Sequence, residues 1–188
     1  MSNMAAIMQN THFNFNTRIL LSRRTCYAML ERKPYTVPVP DVRHQAVSLK
    51  IAAGLLRHIE ERKLGCVFQA PCNLILSGRI VVQPDIVFVG WKRKHIIRRT
   101  NLYGVPDLVV EITSRATRDT DLKAKKKIYA RHEIPEYWIV DPENDSMETL
   151  VWSEMGYVSV AGSGKSDRLC TPLLPGLNLR LASVFRNI

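Results

Sequence analysis

Residues 107–141, DLVVEITSRATRDTDLKAKKKIYARHEIPEYWIVD, constrain this chain more than any other stretch. They predict a strand over Asp107–Thr113, a helix over Asp119–His132 entered through Ser114, Thr117 and Asp119, and a strand over Glu136–Asp141. Side chains alternate across a strand, so Leu108, Val110 and Ile112 share one face while Val109 and Glu111 share the other. Apolar neighbours on both faces imply burial. A carboxylate there must be neutralised, paired or bound to metal. In the helix, each residue turns by about 100°. Leu122, Ile128 and Tyr129 define an apolar arc that encloses Lys125, with Asp121 beside it. Lys123 and Lys127 point away and Lys126 sits at the margin.

The flanking sequence supplies more strands and one long helix. From Arg43 to Leu64, Val47, Ile51, Leu55 and Ile59 recur at helical spacing, and Gly65 follows as a natural stop. Tyr27–Val37 predicts a short hairpin. Two strand-like runs, Cys66–Leu76 and Ile80–Val89, meet at Ser77-Gly78. Within the second, Gln83-Pro84-Asp85 breaks an apolar run. Pro84 cannot donate to a ladder, so the strand is frayed or bulged there and Asp85 is left accessible. Strands over Met147–Trp152 and Tyr157–Val160 and a short C-terminal helix near Phe185 complete an α/β (α+β) architecture on one mixed sheet. Residues 1–26, without an acidic residue, read as a disordered leader, and 27–188 as a single domain.

A formal charge of +10 favours a polyanion, nucleic acid before membrane. No apolar run approaches membrane-spanning length. The four cysteines have no metal-ligand spacing, as expected of reduced thiols in a cytoplasmic protein. The five histidines form no metal-binding pair, and neither a nucleophile elbow nor a P-loop occurs. Two carboxylates and a lysine remain. Hard carboxylate oxygens suit magnesium, and an ammonium suits the charge that develops on a phosphoryl group, so the trio fits phosphodiester hydrolysis.

These residues resemble a known family. "QPDIVFV" followed by "GVPDLVVEITSRATRDTDLKAKKKIYARHEIPEYWIVDP", with "RHQAV" opening the first helix, is similar to the Uma-type restriction endonuclease family of the PD-(D/E)XK nuclease superfamily. The likeness runs from about Tyr27 to Phe185. It implies a restriction-endonuclease-like core, a mixed sheet flanked by helices, that cuts DNA with Mg2+ (or Mn2+). Carried over by position, Asp85 and Glu111 are the catalytic, metal-holding acids. Thr113 stands where the superfamily pattern has lysine. The Uma-type pattern has a lysine in the following helix, four residues before a tyrosine, which Lys125 and Tyr129 match. The family's first hairpin often reads like "YELIDGE". Here Ala28 and Lys33 replace its acids and Arg32 its turn glycine, with Glu31 the nearest acid.

The run Trp91–Arg99 concentrates Lys92, Arg93, Lys94, Arg98 and Arg99 between the two acids, so it is a candidate phosphate-binding hairpin beside the site, joined by Lys123 and Lys127. His44, Gln83 and Asp121 are candidate auxiliary residues. Asp107, although also preceded by proline, belongs to the start of its strand. Lys125→Ala is expected to remove cleavage and leave the fold unchanged. Two alternatives stand beside a DNA endonuclease: a catalytically eroded DNA-binding or partner-binding module on the same fold, and an RNA-processing nuclease. Nucleases that cut both strands often act as homodimers, an assembly that this chain would suit.

Overall fold

A computed structural model describes residues 26–30, 33–37, 41–78, 80–113, 120–164, 168–169 and 171–186, by backbone alone over 26–37, 120–122 and 163. The expected leader up to residue 25 and the capping residues Ser114, Thr117 and Asp119 lie outside the described residues. The chain runs β1 (Cys26–Leu30), β2 (Lys33–Val37), α1 (Val42–Glu61), β3 (Gly65–Gln69), β4 (Leu74–Ser77), β5 (Ile80–Val82), β6 (Ile86–Gly90), β7 (Leu102–Tyr103), β8 (Leu108–Ile112), α2 (Lys126–Arg131), β9 (Glu136–Asp141), β10 (Ser146–Ser153), β11 (Gly156–Ser163) and α3 (Leu181–Phe185).

Alternation in the central strands decides the layers. Ile86 and Phe88, Leu108, Val110 and Ile112, and Trp138 and Val140 bury one face against Val47, Ile51, Leu55 and Ile59 of α1 and Leu181, Val184 and Phe185 of α3. Val87 and Val89, Val109, and Tyr137 and Ile139 bury the other against Ile128 and Tyr129 of α2 and against Leu74, Leu76 and Val82 of a second sheet. The four α1 residues are fully buried, which stabilises the layer by about 1.5–3 kcal/mol each. The larger sheet is mixed, in the order β11-β10-β9-β8-β6-β3. Its parallel pair is β8–β9, with Val110 opposite Trp138 and Ile112 opposite Val140.

Each long run expected as one strand is divided between two sheets. β3 and β6 pair antiparallel in the mixed sheet, whereas β4 and β5 form part of a five-stranded sheet, β2-β1-β5-β4-β7. The breaks fall at Pro71 and Pro84, where a missing N–H ends ladder pairing. Gly65 is not the helix stop. α1 ends through Arg62 and the left-handed Lys63 (φ 54°), while Gly65 lies in β3, where a Cβ would stand 2.1 Å from the carbonyl oxygen of Val89. The second helix is also not one regular α-helix: Thr120–Lys125 winds as a π-helix before α2.

Candidate active site

Glu111 faces α2 from near the carboxyl end of β8 and is only 2 % exposed. Both of its oxygens are engaged. Lys125 Nζ lies 2.6 Å from Oε2, and the Tyr129 hydroxyl donates to Oε1 at 2.5 Å. Lys125 and Tyr129 sit one helical turn apart, the spacing that puts two side chains over one spot. The turn that joins them begins at Lys125, whose backbone is α-helical (φ −64°, ψ −40°), so the π winding before it leaves this pair in phase. π segments inside helices are frequent at functional sites. An ammonium and a carboxylate this deeply buried persist only when paired closely and hydrogen-bonded.

Asp85 approaches the same strand from β6. Ile86 pairs with Val110 as the last pair of an antiparallel ladder, and Asp85 stands one residue before it. Its Oδ2 accepts from the Ile112 N–H at 2.7 Å, and its Oδ1 lies 3.3 Å from His44 Nε2. The carboxylate thus satisfies an N–H of β8 beyond the last residue pair of the β6–β8 ladder. Its main-chain oxygen accepts from Ala70 N at 2.9 Å, which ties the bend to the end of β3.

His44 comes from the first turn of α1. Asp41 caps that turn by accepting from the His44 main-chain N–H at 2.7 Å. Burial alone would lower the His44 pKa. The Asp85 hydrogen bond and charge, the main chain at Ile112 and the Asp41 charge outweigh that cost and leave it raised. Nδ1 of the ring is buried without a hydrogen-bond partner among the described residues. The N-terminus of α1, the Pro-Asp bend and the carboxyl ends of the parallel strands β8 and β9 therefore converge at one end of the mixed sheet. Open α/β sheets bind ligands at such ends.

Other expected residues fall elsewhere. Lys123 and Lys127 are exposed, on the side of the helix away from the sheet. Asp121 lies in the described helix backbone, but its side chain is outside the described residues. Gln83 donates to Asn73 Oδ1 at 3.0 Å, bridging the two bends that divide the sheets. Thr113 is buried, with its hydroxyl on the carbonyl of Val140, so that position supplies a sheet contact and no cation. Asp107 precedes β8 and accepts from Gly90 N at 2.7 Å, as suits the start of a strand.

The basic run is a hairpin turn only in its second part: Arg98 and Arg99 lie between Ile97 and Leu102, which form an antiparallel bridge. Trp91–Ile96 forms a 3₁₀ helix that follows the far end of β6, and the length of that strand, about 15 Å at 3.3 Å per residue, separates it from Asp85. Arg93 is turned inward, 3.1 Å from Asp107 Oδ1 and 3.1 Å from the carbonyl of Val105.

From sequence, Tyr129 matches the tyrosine of the family pattern and has no part in the site; its hydroxyl on Glu111 gives it one. It reads as apolar because its ring is buried, and its ring centroid stands 5.1 Å from that of Tyr137. A buried phenol needs a polar partner, and an ionisable residue four positions away is the signal that could have supplied one.

Asp85 and Glu111 offer hard oxygen donors, the set with which magnesium binds through one or two carboxylates and keeps its remaining positions for water or phosphate. Among the described residues, no three His, Cys, Asp or Glu side chains form a ready-made cage. The chemistry of the two acids fits magnesium.

The family described as "Uma2: Putative restriction endonuclease" matches residues 20–182. The chain belongs to that family. Among solved structures, the family member described here matches a protein from Anabaena variabilis ATCC 29413, described as a putative nuclease belonging to DUF820. The TM-score is 0.70 at 16 % identity, over 85 % of this chain and 89 % of that one. At that identity the likeness establishes the fold, a restriction-endonuclease-like mixed sheet flanked by helices. No curated protein is significantly similar to the chain. Among the described residues, no helix is long and apolar enough to cross a membrane.

Proposed function

We propose that this Uma2-family chain is a metal-dependent endonuclease that hydrolyses DNA phosphodiester bonds, with Asp85, Glu111 and Lys125 as its catalytic residues. The observation that carries the reading is the buried Glu111–Lys125 pair at 2.6 Å, beside Ile112, whose N–H donates to Asp85. A core gains little from such a pair, because well-packed apolar residues would serve stability equally well. Its retention at the carboxyl end of the parallel strands points to chemistry.

In this reading Asp85 and Glu111 hold Mg2+ (or Mn2+), which when bound polarises the phosphoryl oxygen and supplies an acidified water. Lys125 places its ammonium where negative charge builds on the phosphorus oxygens, and a donor of that kind is worth about 10²–10³ in rate. The Ile112 N–H and His44 hold Asp85, and Tyr129 and Lys125 hold Glu111, so both acids are oriented before substrate arrives. The net charge of +10 supports a nucleic-acid substrate. Cutting both strands calls for two such sites, which a homodimer in the cytoplasm would provide.

A second reading, a non-catalytic DNA-binding module, draws support from the full engagement of all four carboxylate oxygens by protein donors. Labelled duplex DNA and the matching RNA, incubated with and without Mg2+ beside an Asp85→Ala control, separate the readings. Mg2+-dependent cutting of DNA that Asp85→Ala lacks supports the endonuclease. Binding without cutting supports the module, and cutting confined to RNA supports an RNA-processing enzyme.

A further inference from the structure

We infer that Tyr129 is a positioning residue of the active site, fixing the Glu111 carboxylate for metal through its hydroxyl; this rests on the endonuclease reading above. Three observations carry it. The Tyr129 hydroxyl donates to Oε1 of Glu111 at 2.5 Å, the oxygen opposite the one that meets Lys125. The tyrosine is fully buried, so its hydroxyl bonds where water does not compete. The helix that carries it is anchored independently of the site: Trp152 Nε1 donates to the carbonyl of Ala130 at 3.0 Å.

A carboxylate on a strand can spin about its terminal torsion, which is broad and roughly two-fold. The ammonium on Oε2 fixes one end of the Glu111 group. The phenol on Oε1 fixes the other end and so sets the carboxylate plane. Tyr129 touches neither substrate nor the reacting atoms; it acts through Glu111. Partners of metal ligands in this role are typically worth 10–100-fold in metal affinity or activity.

The test uses the full chain as wild type, Tyr129→Phe and Tyr157→Phe. Mn2+ affinity is measured by calorimetry without DNA, together with kcat and KM on duplex DNA with Mg2+ and the melting temperature of each protein. Tyr129→Phe should weaken Mn2+ binding and lower kcat by about tenfold or more with little change in KM. Tyr157→Phe, which removes a tertiary hydrogen bond to the Ile134 carbonyl outside the site, should lower the melting temperature and leave Mn2+ affinity unchanged. Equal Mn2+ affinity and kcat in Tyr129→Phe and wild type would overturn the inference while the endonuclease reading stands. A wild type that neither binds Mn2+ nor cuts would overturn both. Should Tyr129→Phe not fold, 3-fluorotyrosine at position 129 decides: its fluorine resonance should move as Mg2+ is added and stay fixed in Glu111→Gln, and an unmoved resonance in the otherwise wild-type chain would refute the role.

Discussion

Replacing Lys125 by methionine keeps the length of the side chain and removes its charge. Glu111, 2 % exposed, would then be a buried carboxylate that has lost the ammonium 2.6 Å away. Breaking such a pair from one side costs about 3–5 kcal/mol, because the remaining charge stays desolvated. At about 2–4 °C per kcal/mol for a domain of this size, the melting temperature should fall by about 6–20 °C. That revises the expectation from sequence that removing Lys125 would spare the fold. The cost should depend on Glu111. Adding Glu111→Gln to Lys125→Met removes the stranded charge, while the amide oxygen can still accept from Tyr129, so the double variant should regain most of the lost stability. Urea denaturation of wild type, both single variants and the double variant forms a cycle, in which the coupling should be about 2 kcal/mol or more. Cleavage should be absent in all three variants. A Lys125→Met protein as stable as wild type, or a double variant that loses the sum of the two single losses, would refute a buried, mutually dependent pair.

Three further outcomes are expected. Asp85→Asn should retain the bond from Ile112 N–H through its amide oxygen and melt within a few degrees of wild type, yet lose Mg2+-dependent cleavage; an active variant would remove Asp85 from the site. Replacing Lys92, Lys94, Arg98 and Arg99 by glutamine should flatten the salt dependence of DNA binding by up to about 0.9 in slope for each phosphate no longer neutralised, and an unchanged slope would place the binding surface elsewhere. Burial raises the pKa of Glu136 against hydrogen bonds from Thr171, Trp138 and Leu173 N. Its folded value therefore exceeds its unfolded one, and its contribution to stability is complete below about 4.5 and lost as pH rises through the folded value. Wild-type stability relative to Glu136→Gln, measured in urea from pH 4 to 8, should decline over that window; parallel curves would contradict the shift.

What could be read in sequence and what could not follow from the range of the interactions. The period of two over Leu108–Ile112 marks a buried strand and exposes Glu111 as a misfit, and the helical spacing of Val47, Ile51, Leu55 and Ile59 marks α1, because both patterns are local. The assignment of Cys66–Leu76 and Ile80–Val89 to two sheets is not local: an apolar run satisfies either sheet, and only tertiary pairing tells β3 from β4. Gly65 looks like a helix stop until Val89 of β6 is known to lie over it. The apolar arc around Lys125 assumed α periodicity back to Leu122, where the helix winds as π, but the turn from Lys125 to Tyr129 is α-helical and puts both side chains on Glu111. Nearness in sequence misled for Trp91–Ile96, since the five residues of β6 stand between that helix and Asp85. The role of Tyr129 was hidden because a buried tyrosine satisfies an apolar pattern with its ring while its hydroxyl serves a residue 18 positions away.

The most direct test of the central claim is single-turnover cleavage of end-labelled duplex DNA across a range of Mg2+ concentrations. Wild type, Asp85→Asn, Glu111→Gln and Lys125→Met are purified in parallel. One site built from the three residues predicts cutting by wild type that appears only with Mg2+ or Mn2+, and a loss of about 10² or more in each variant. A wild type that binds the duplex but never cuts it, or any one of the three variants cutting at the wild-type rate, would contradict the account.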